Sequence, residues 1–78
     1  MMPGLQALKM LRPLVLTHVS TGQRFEGDAA ISEWRRMLED TEELMDVELV
    51  DMEESGLVYR VTLLTADDEL VSLTLRLS

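Results

Sequence analysis

The chain has 78 residues, a net charge of −8 and no cysteine. This length fits one domain, and the absence of cysteine excludes disulfides, thiolate metal sites and cysteine nucleophiles. The 15 acidic and 7 basic side chains make the chain a poor direct ligand for nucleic acids and for anionic membranes, because like charges repel.

The first twelve residues predict a tail or a short helix, followed by a single domain over residues 13–78. Leu5, Leu8 and Leu11 recur at every third position. No basic segment precedes an apolar stretch and no small-residue cleavage site follows it, so no signal peptide is predicted. The apolar runs are shorter than the ~20 residues that a membrane helix needs. We therefore expect a soluble cytoplasmic protein without a membrane partner.

The next segment predicts a β-hairpin and then a helix. Residues 14–19 are apolar and β-branched, residues 20–23 are typical of a turn, and residues 24–26 form a short returning strand. Apolar side chains at helical spacing predict a helix over about 28–43, with Asp28 as its N-cap. The predicted apolar stripe consists of Ala30, Ile31, Trp34, Met37, Leu38 and Thr41, and the polar side of Glu33, Arg35, Arg36, Glu39 and Asp40.

The sequence defines the C-terminal end of this helix only to within several residues. Acidic side chains in the last turns meet the negative end of the helix dipole, which is mildly unfavourable. Alternatively, Asp40 caps a further short turn in which Glu43 stands three residues on.

Three strands are predicted after the helix. Residues 57–63 and 71–77 alternate apolar and polar side chains, as a half-buried strand does. The short links at 54–56 and 66–69 require antiparallel pairing of consecutive strands. The order of hairpin, helix and three-strand meander predicts an α+β fold, a two-layer sandwich with one helix packed on an antiparallel sheet.

The strand over residues 46–53 alternates imperfectly. Val47 and Leu49 point to one side, whereas Val50 and Met52 point to the other. This switch indicates a β-bulge or a position at the sheet edge.

No residue pattern predicts catalysis, a metal or a cofactor. His18 is the only histidine, it accompanies no nucleophile motif, and we expect it to be exposed or partly packed. The acids at 67–69 and 51–54 lack the spacing of a calcium loop, and are expected to be solvated turn residues. Trp34 and Tyr59 are expected in the core rather than at an interface. The chain is therefore predicted not to be an enzyme.

The charge distribution is the most informative feature of the sequence. Residues 1–25 carry three basic and no acidic side chains, whereas residues 39–54 carry nine acidic and no basic ones. Carboxylates two residues apart on a strand lie ~6.6–6.8 Å apart, and duplex DNA carries a phosphate every ~3.4 Å on each strand. An uninterrupted block repels itself and so indicates a cationic partner; the alternative is a solubilising surface. The predicted partner-binding residues are Glu39, Asp40, Glu42, Glu43, Asp46, Glu48, Asp51, Glu53 and Glu54.

These features predict a small acidic binding protein, in its most concrete form an inhibitor that occupies the nucleic-acid-binding surface of a larger basic protein. Phage inhibitors of CRISPR and restriction enzymes are similar in size and charge. One alternative is an immunity or antitoxin-type protein that neutralises a basic toxin. Another is a self-assembling structural subunit or homodimer, paired through edge strands and in particular through the leucine-rich last strand.

Overall fold

The computed structural model describes residues 5–77. Residues 1–4 of the predicted N-terminal tail lie outside this range. In chain order the elements are helix α1 (Leu5–Leu8), strands β1 (Val15–His18) and β2 (Arg24–Glu26), helix α2 (Asp28–Glu39), and strands β3 (Thr41–Glu53), β4 (Gly56–Thr65) and β5 (Leu70–Leu77). The predicted α+β class is confirmed. Neither helix is both long and apolar enough to cross a bilayer.

All five strands form one antiparallel sheet in the order β2-β1-β5-β4-β3. The edges of the sheet are therefore β2 and β3. The last strand pairs with β1 on one side and with β4 on the other. The expectation that this strand offers an edge to a second copy is wrong, because both of its sides already have partners within the chain.

The core lies on one face of the sheet and includes residues of both helices and of three strands. Trp34 is fully buried, as predicted, and its Nε1 donates a hydrogen bond to the carbonyl of Leu8 at 2.9 Å. This bond fastens the last residue of α1 to the middle of α2. The buried cluster consists of Leu8, Leu16, Ala30, Trp34, Met37, Leu38, Val61, Leu63, Leu73 and Leu75.

The N-terminus of α2 differs from the prediction. Gly27 occupies the N-cap at φ 60°, and no side chain caps the helix. The positive φ is a conformation that glycine adopts with little strain. Asp28 is the first helical residue, so its predicted capping role is wrong, although its charge still suits the positive end of the helix dipole.

The C-terminus of α2 comes four residues earlier than the predicted helix end at residue 43. Thr41 pairs with Thr65 and begins β3, and its hydroxyl donates a 2.7 Å hydrogen bond to the Met37 carbonyl. Asp40 is the C-cap, so the alternative further turn is also absent. Pairing with β4 outweighs the helical spacing of the preceding residues, because tertiary contacts override local propensity.

Candidate interaction surface

Strand β3 contains three irregularities that decide where its side chains point. The register with β4 shifts between Thr41 and Glu43, between Leu44 and Asp46, and between Leu49 and Asp51. Each shift inserts one extra residue, which reverses the alternation of all the residues that follow. The predicted bulge and the predicted edge position are both confirmed.

The bulges separate the apolar and acidic side chains of β3 onto opposite faces. Directly opposed residues in an antiparallel pair share a face. The apolar members Leu44, Val47, Leu49 and Met52 lie opposite Leu63, Val61, Tyr59 and Leu57, on the core face. The acidic members of β3 lie opposite the residues of β4 that point to the other face. These acidic members are here called the acidic row, and they are Glu43, Asp46, Glu48, Asp51 and Glu53.

Met52 corrects the sequence-based assignment. The alternation in the sequence placed it with Val50, away from Val47. Because Val50 is the extra residue of the third bulge, Met52 returns to the side of Val47. The face that carries the acidic row is called the open face, since both described helices contribute to the core on the other side.

The nine acids predicted to bind a partner do not share one surface. Five of them form the acidic row. The other four are exposed at separate places: Glu39 ends α2, Asp40 caps it, Glu42 stands in the first bulge, and Glu54 lies in the turn between β3 and β4. The structure thus narrows the contiguous part of the candidate surface to β3.

Two arginines pair with members of the acidic row. Arg60 contacts Glu48 at 2.6 Å, and Arg76 contacts Glu53 at 2.5 Å. Within residues 5–77, no salt bridge joins Glu43, Asp46 or Asp51 to a basic side chain. These three carboxylates remain available to cations from outside.

The open face is concave. A depression of about 390 Å³ draws its lining from every strand, including Val15, Arg24, Asp51, Val58 and Arg76. A β-bulge bends the strand that carries it and increases the local twist, and β3 lines one side of this depression. The depression is open to solvent and carries charges of both signs, so it can receive a protruding element of a partner.

A second polar cluster, which the sequence did not reveal, ties α2 to β1. Glu33 was placed on the polar side of the helix, but only 9% of its side chain is exposed. Its two carboxylate oxygens accept hydrogen bonds from Arg36 Nε and Nη2, both at 2.7 Å. His18 Nε2 lies 2.6 Å from Oε2 of the same carboxylate. The only sequence signal was the Glu-Arg spacing of three residues on a helix.

The partners of Glu33 determine its ionisation. The hydrogen bonds from Arg36 lower the pKa of Glu33 below 4.5, and His18 acts in the same direction, whereas burial opposes both. The carboxylate is therefore held ionised by its neighbours. His18 is partly packed, as predicted, with its ring edge-on to Phe25 at a centroid distance of 5.9 Å.

Among residues 5–77, no three His, Asp or Glu side chains are grouped as a metal site would require. Comparisons with protein-family models, with curated proteins and with solved structures gave no match.

Proposed function

We propose that this chain is a small, non-enzymatic inhibitor that occupies the nucleic-acid-binding surface of a larger basic protein. The observation that carries the proposal is the acidic row, in which Glu43, Asp46 and Asp51 have no basic partner among the described residues. In this proposal the chain is a cytoplasmic domain that consists of a helix layer and a sheet. The helix layer stabilises the sheet, and the open face turns toward the partner.

The mechanism is electrostatic and steric. Carboxylates of the acidic row accept hydrogen bonds from lysine and arginine side chains that would otherwise contact phosphates. Arginine binds a carboxylate through two parallel, charge-assisted hydrogen bonds, which adds direction to the attraction. Association is then fast at low salt and weaker at high salt, because dissolved ions screen exposed charges.

The bulges of β3 disfavour a second copy of the chain that would add one of its strands to this edge. They favour a partner of a different kind. A long edge strand invites strand addition, and bulges and charged side chains are the features that prevent it. The free edge of β3 carries three register shifts and a row of carboxylates. Two copies would bring equal negative charges together, whereas a basic protein would neutralise them.

The first test is affinity capture from the source cells with three versions of the chain as bait. The β3 variant carries Glu43→Lys and Asp46→Lys. The turn variant carries Asp67→Lys and Glu69→Lys in the exposed link between β4 and β5, and has the same net charge as the β3 variant. We expect the natural chain and the turn variant to retain one basic protein that moderate salt releases, and the β3 variant to lose it.

The second test asks whether the captured protein can hold nucleic acid and this chain together. The proposal predicts competition: added nucleic acid displaces the chain, and the chain displaces nucleic acid. A basic toxin that binds the acidic row without such competition would favour the immunity or antitoxin alternative. Equal capture by the β3 and turn variants would contradict the role of the acidic row.

A further inference from the structure

The acidic row has a regular repeat along the sheet, although the acids of β3 are irregularly spaced in the chain. The three bulges take up the irregular spacing, because their extra residues are Glu42, Met45 and Val50. As a result, the members of the row lie opposite every second residue of β4, from Leu64 to Gly56. Residues two apart on a strand lie ~6.6–6.8 Å apart. The row therefore consists of four equal steps and is about 27 Å long.

This repeat is close to that of a single-stranded nucleic acid in its extended form. From one phosphorus atom to the next, a nucleic-acid backbone has as many covalent bonds as a polypeptide has over two residues, so the two extended chains have similar repeats. A duplex strand is different, because it advances only ~3.4 Å along the axis per phosphate and completes a turn in about 10 base pairs. Over four steps its phosphates advance about 14 Å and turn away from the line that the acidic row follows.

The ion pairs within the chain leave the acidic row able to accept further cations. Arg60 contacts Glu48 through Oε2, and Arg76 contacts Glu53 through Oε2. Each carboxylate has a second acceptor oxygen, so a cation of the partner can bind there. Because ion pairs that solvent reaches are weak, a partner's arginine can also replace either pair at little cost.

The other face of β3 carries exposed apolar side chains on the same repeat. Leu49 and Met52 lie opposite Tyr59 and Leu57 on the core face, and yet they are 45% and 72% exposed. Tyr59 faces the core side, as predicted, but is only partly buried. Since β3 is an edge of the sheet, one molecule can contact both of its faces around the free side.

An extended single strand presents two sides of the same kind to a protein. Its phosphates form a charged side, and its unpaired bases form a flat, apolar one. Proteins that bind such strands combine a cationic groove along the backbone with aromatic side chains on which the bases stack. In a duplex the base faces are stacked on one another and are out of reach of such side chains. The two faces of β3 thus correspond to a single strand and not to a duplex.

We propose that β3 takes the place of an extended single strand in the binding groove of the partner. This inference rests on the proposed function in taking the partner to be a basic, nucleic-acid-binding protein, and it adds that the partner's ligand is single-stranded. Lysine and arginine side chains of the groove contact the acidic row. Its aromatic side chains pack against Leu49 and Met52, where they would otherwise stack on bases.

The first part of the test identifies the form of nucleic acid with which the chain competes. The protein used is the one that the natural chain retains in affinity capture and the β3 variant loses. Two fluorescein-labelled probes report binding by anisotropy: a single strand of about 12 nucleotides and a hairpin duplex of the same length. We expect the single strand to bind at least about tenfold more tightly, because loss of one stacking contact already weakens binding by about that factor. The natural chain should displace it.

The second part tests the repeat of the acidic row at constant net charge. A shifted variant moves two carboxylates from the row into the neighbouring bulges, through Met45→Glu, Asp46→Asn, Val50→Glu and Asp51→Asn. Its control moves one carboxylate by one position in the turn after β4, through Ala66→Glu and Asp67→Asn. We expect the shifted variant to compete with the single strand at least about tenfold more weakly than the natural chain, and the control to compete equally well.

The third part tests the apolar side of β3. An apolar-side variant carries Leu49→Gln and Met52→Gln and keeps every carboxylate. Its control carries Val19→Gln and Leu70→Gln, two exposed apolar residues outside β3. We expect the apolar-side variant to lose at least about tenfold in affinity, since buried apolar anchors dominate such interfaces, and the control to lose little. All substituted residues are exposed, so the variants should fold, which circular dichroism verifies.

The outcomes separate this inference from the proposed function. Equal or tighter binding of the duplex probe would exclude a single-strand groove, but competition with the duplex would keep the proposed function. A shifted variant or an apolar-side variant that competes as well as the natural chain would also overturn the inference, and would leave the number of charges as the cause of binding. Failure of both probes to compete with the chain, or the absence of a captured protein, would overturn the proposed function and this inference together.

Discussion

The half of the sheet under α2 and the half that ends in β3 use acidic residues in opposite ways. In the first half, Glu33 of α2 is almost fully buried, and its carboxylate binds both Arg36 and His18. Along β3 the acids are solvent-exposed, and the pairs that do form, such as Arg60 with Glu48, are about half exposed.

This difference separates stability from recognition. A buried carboxylate that loses its partners leaves an unsatisfied charge, which is strongly unfavourable. An exposed ion pair contributes about 0–1 kcal/mol. We therefore expect substitutions in the α2 half to change the free energy of unfolding, and substitutions on β3 to change binding while leaving the fold intact.

The largest effect on stability is expected at Trp34. Replacing this fully buried ring by alanine leaves a cavity and removes the hydrogen bond to Leu8, at a cost of about 3–5 kcal/mol. For a domain of this size the melting temperature should fall by at least about 12 °C, as measured by circular dichroism. Trp34→Phe keeps a ring and loses mainly the hydrogen bond, so it should cost less. An unchanged melting temperature of Trp34→Ala would place the ring outside the core.

The next effect is expected at Glu33 and depends on pH. Glu33→Gln should destabilise the fold by about 1–2 kcal/mol at neutral pH. Charge-assisted hydrogen bonds contribute ~1.5–3 kcal/mol, and we expect less here because Arg36 is exposed and solvent screens its charge. The folded pKa of Glu33 lies below 4.5, so its contribution is complete above that pH and is lost as the pH falls through the folded pKa.

The pH dependence is measured by urea unfolding of Glu33→Gln and of the natural chain, at neutral pH and at about pH 3. At the lower pH, carboxyl groups with an ordinary pKa are mostly protonated. The difference between them should shrink at the lower pH. Glu26→Gln is the matched control, since Glu26 is 68% exposed in its pair with Arg24 and should show little difference at either pH. A constant difference for Glu33→Gln would contradict the ionised cluster.

The smallest effect on stability is expected on β3. The β3 variant, with Glu43→Lys and Asp46→Lys, should change the free energy of unfolding by no more than about 0.5 kcal/mol, as exposed substitutions generally do. At low salt it should be slightly more stable than the natural chain, because relieving repulsion among like charges favours the compact state. A large loss of stability would show that these carboxylates hold the fold together.

The α+β class and much of the core follow from local patterns. The stripe of α2 was strong enough to place Trp34 and Met37 inside, and the regular alternation of β5 placed Leu73 and Leu75 there. The end of α2 was missed because Thr41 continues the helical spacing, and only its pairing with Thr65 shows that a strand begins there. That pairing is a contact between distant residues, which local spacing does not contain.

The candidate surface was predictable only in outline. The acidic block of 39–54 is evident in the sequence, but the side of the sheet on which each acid lies depends on three bulges. One bulge reverses every side chain after it, so the faces of β3 follow from its register with β4 and not from composition. The burial of Glu33 likewise required His18, which stands 15 positions earlier in the chain.

The most direct test of the account is binding of the purified basic partner to the natural chain, the β3 variant and the turn variant, at low and at high salt. Calorimetry gives the affinity, and circular dichroism confirms that all three are folded. We predict tight, salt-sensitive binding of the natural chain and the turn variant, and loss of binding by the β3 variant at both salt concentrations. Equal affinities of the β3 and turn variants would contradict the account, because the acidic row would then only keep the protein in solution.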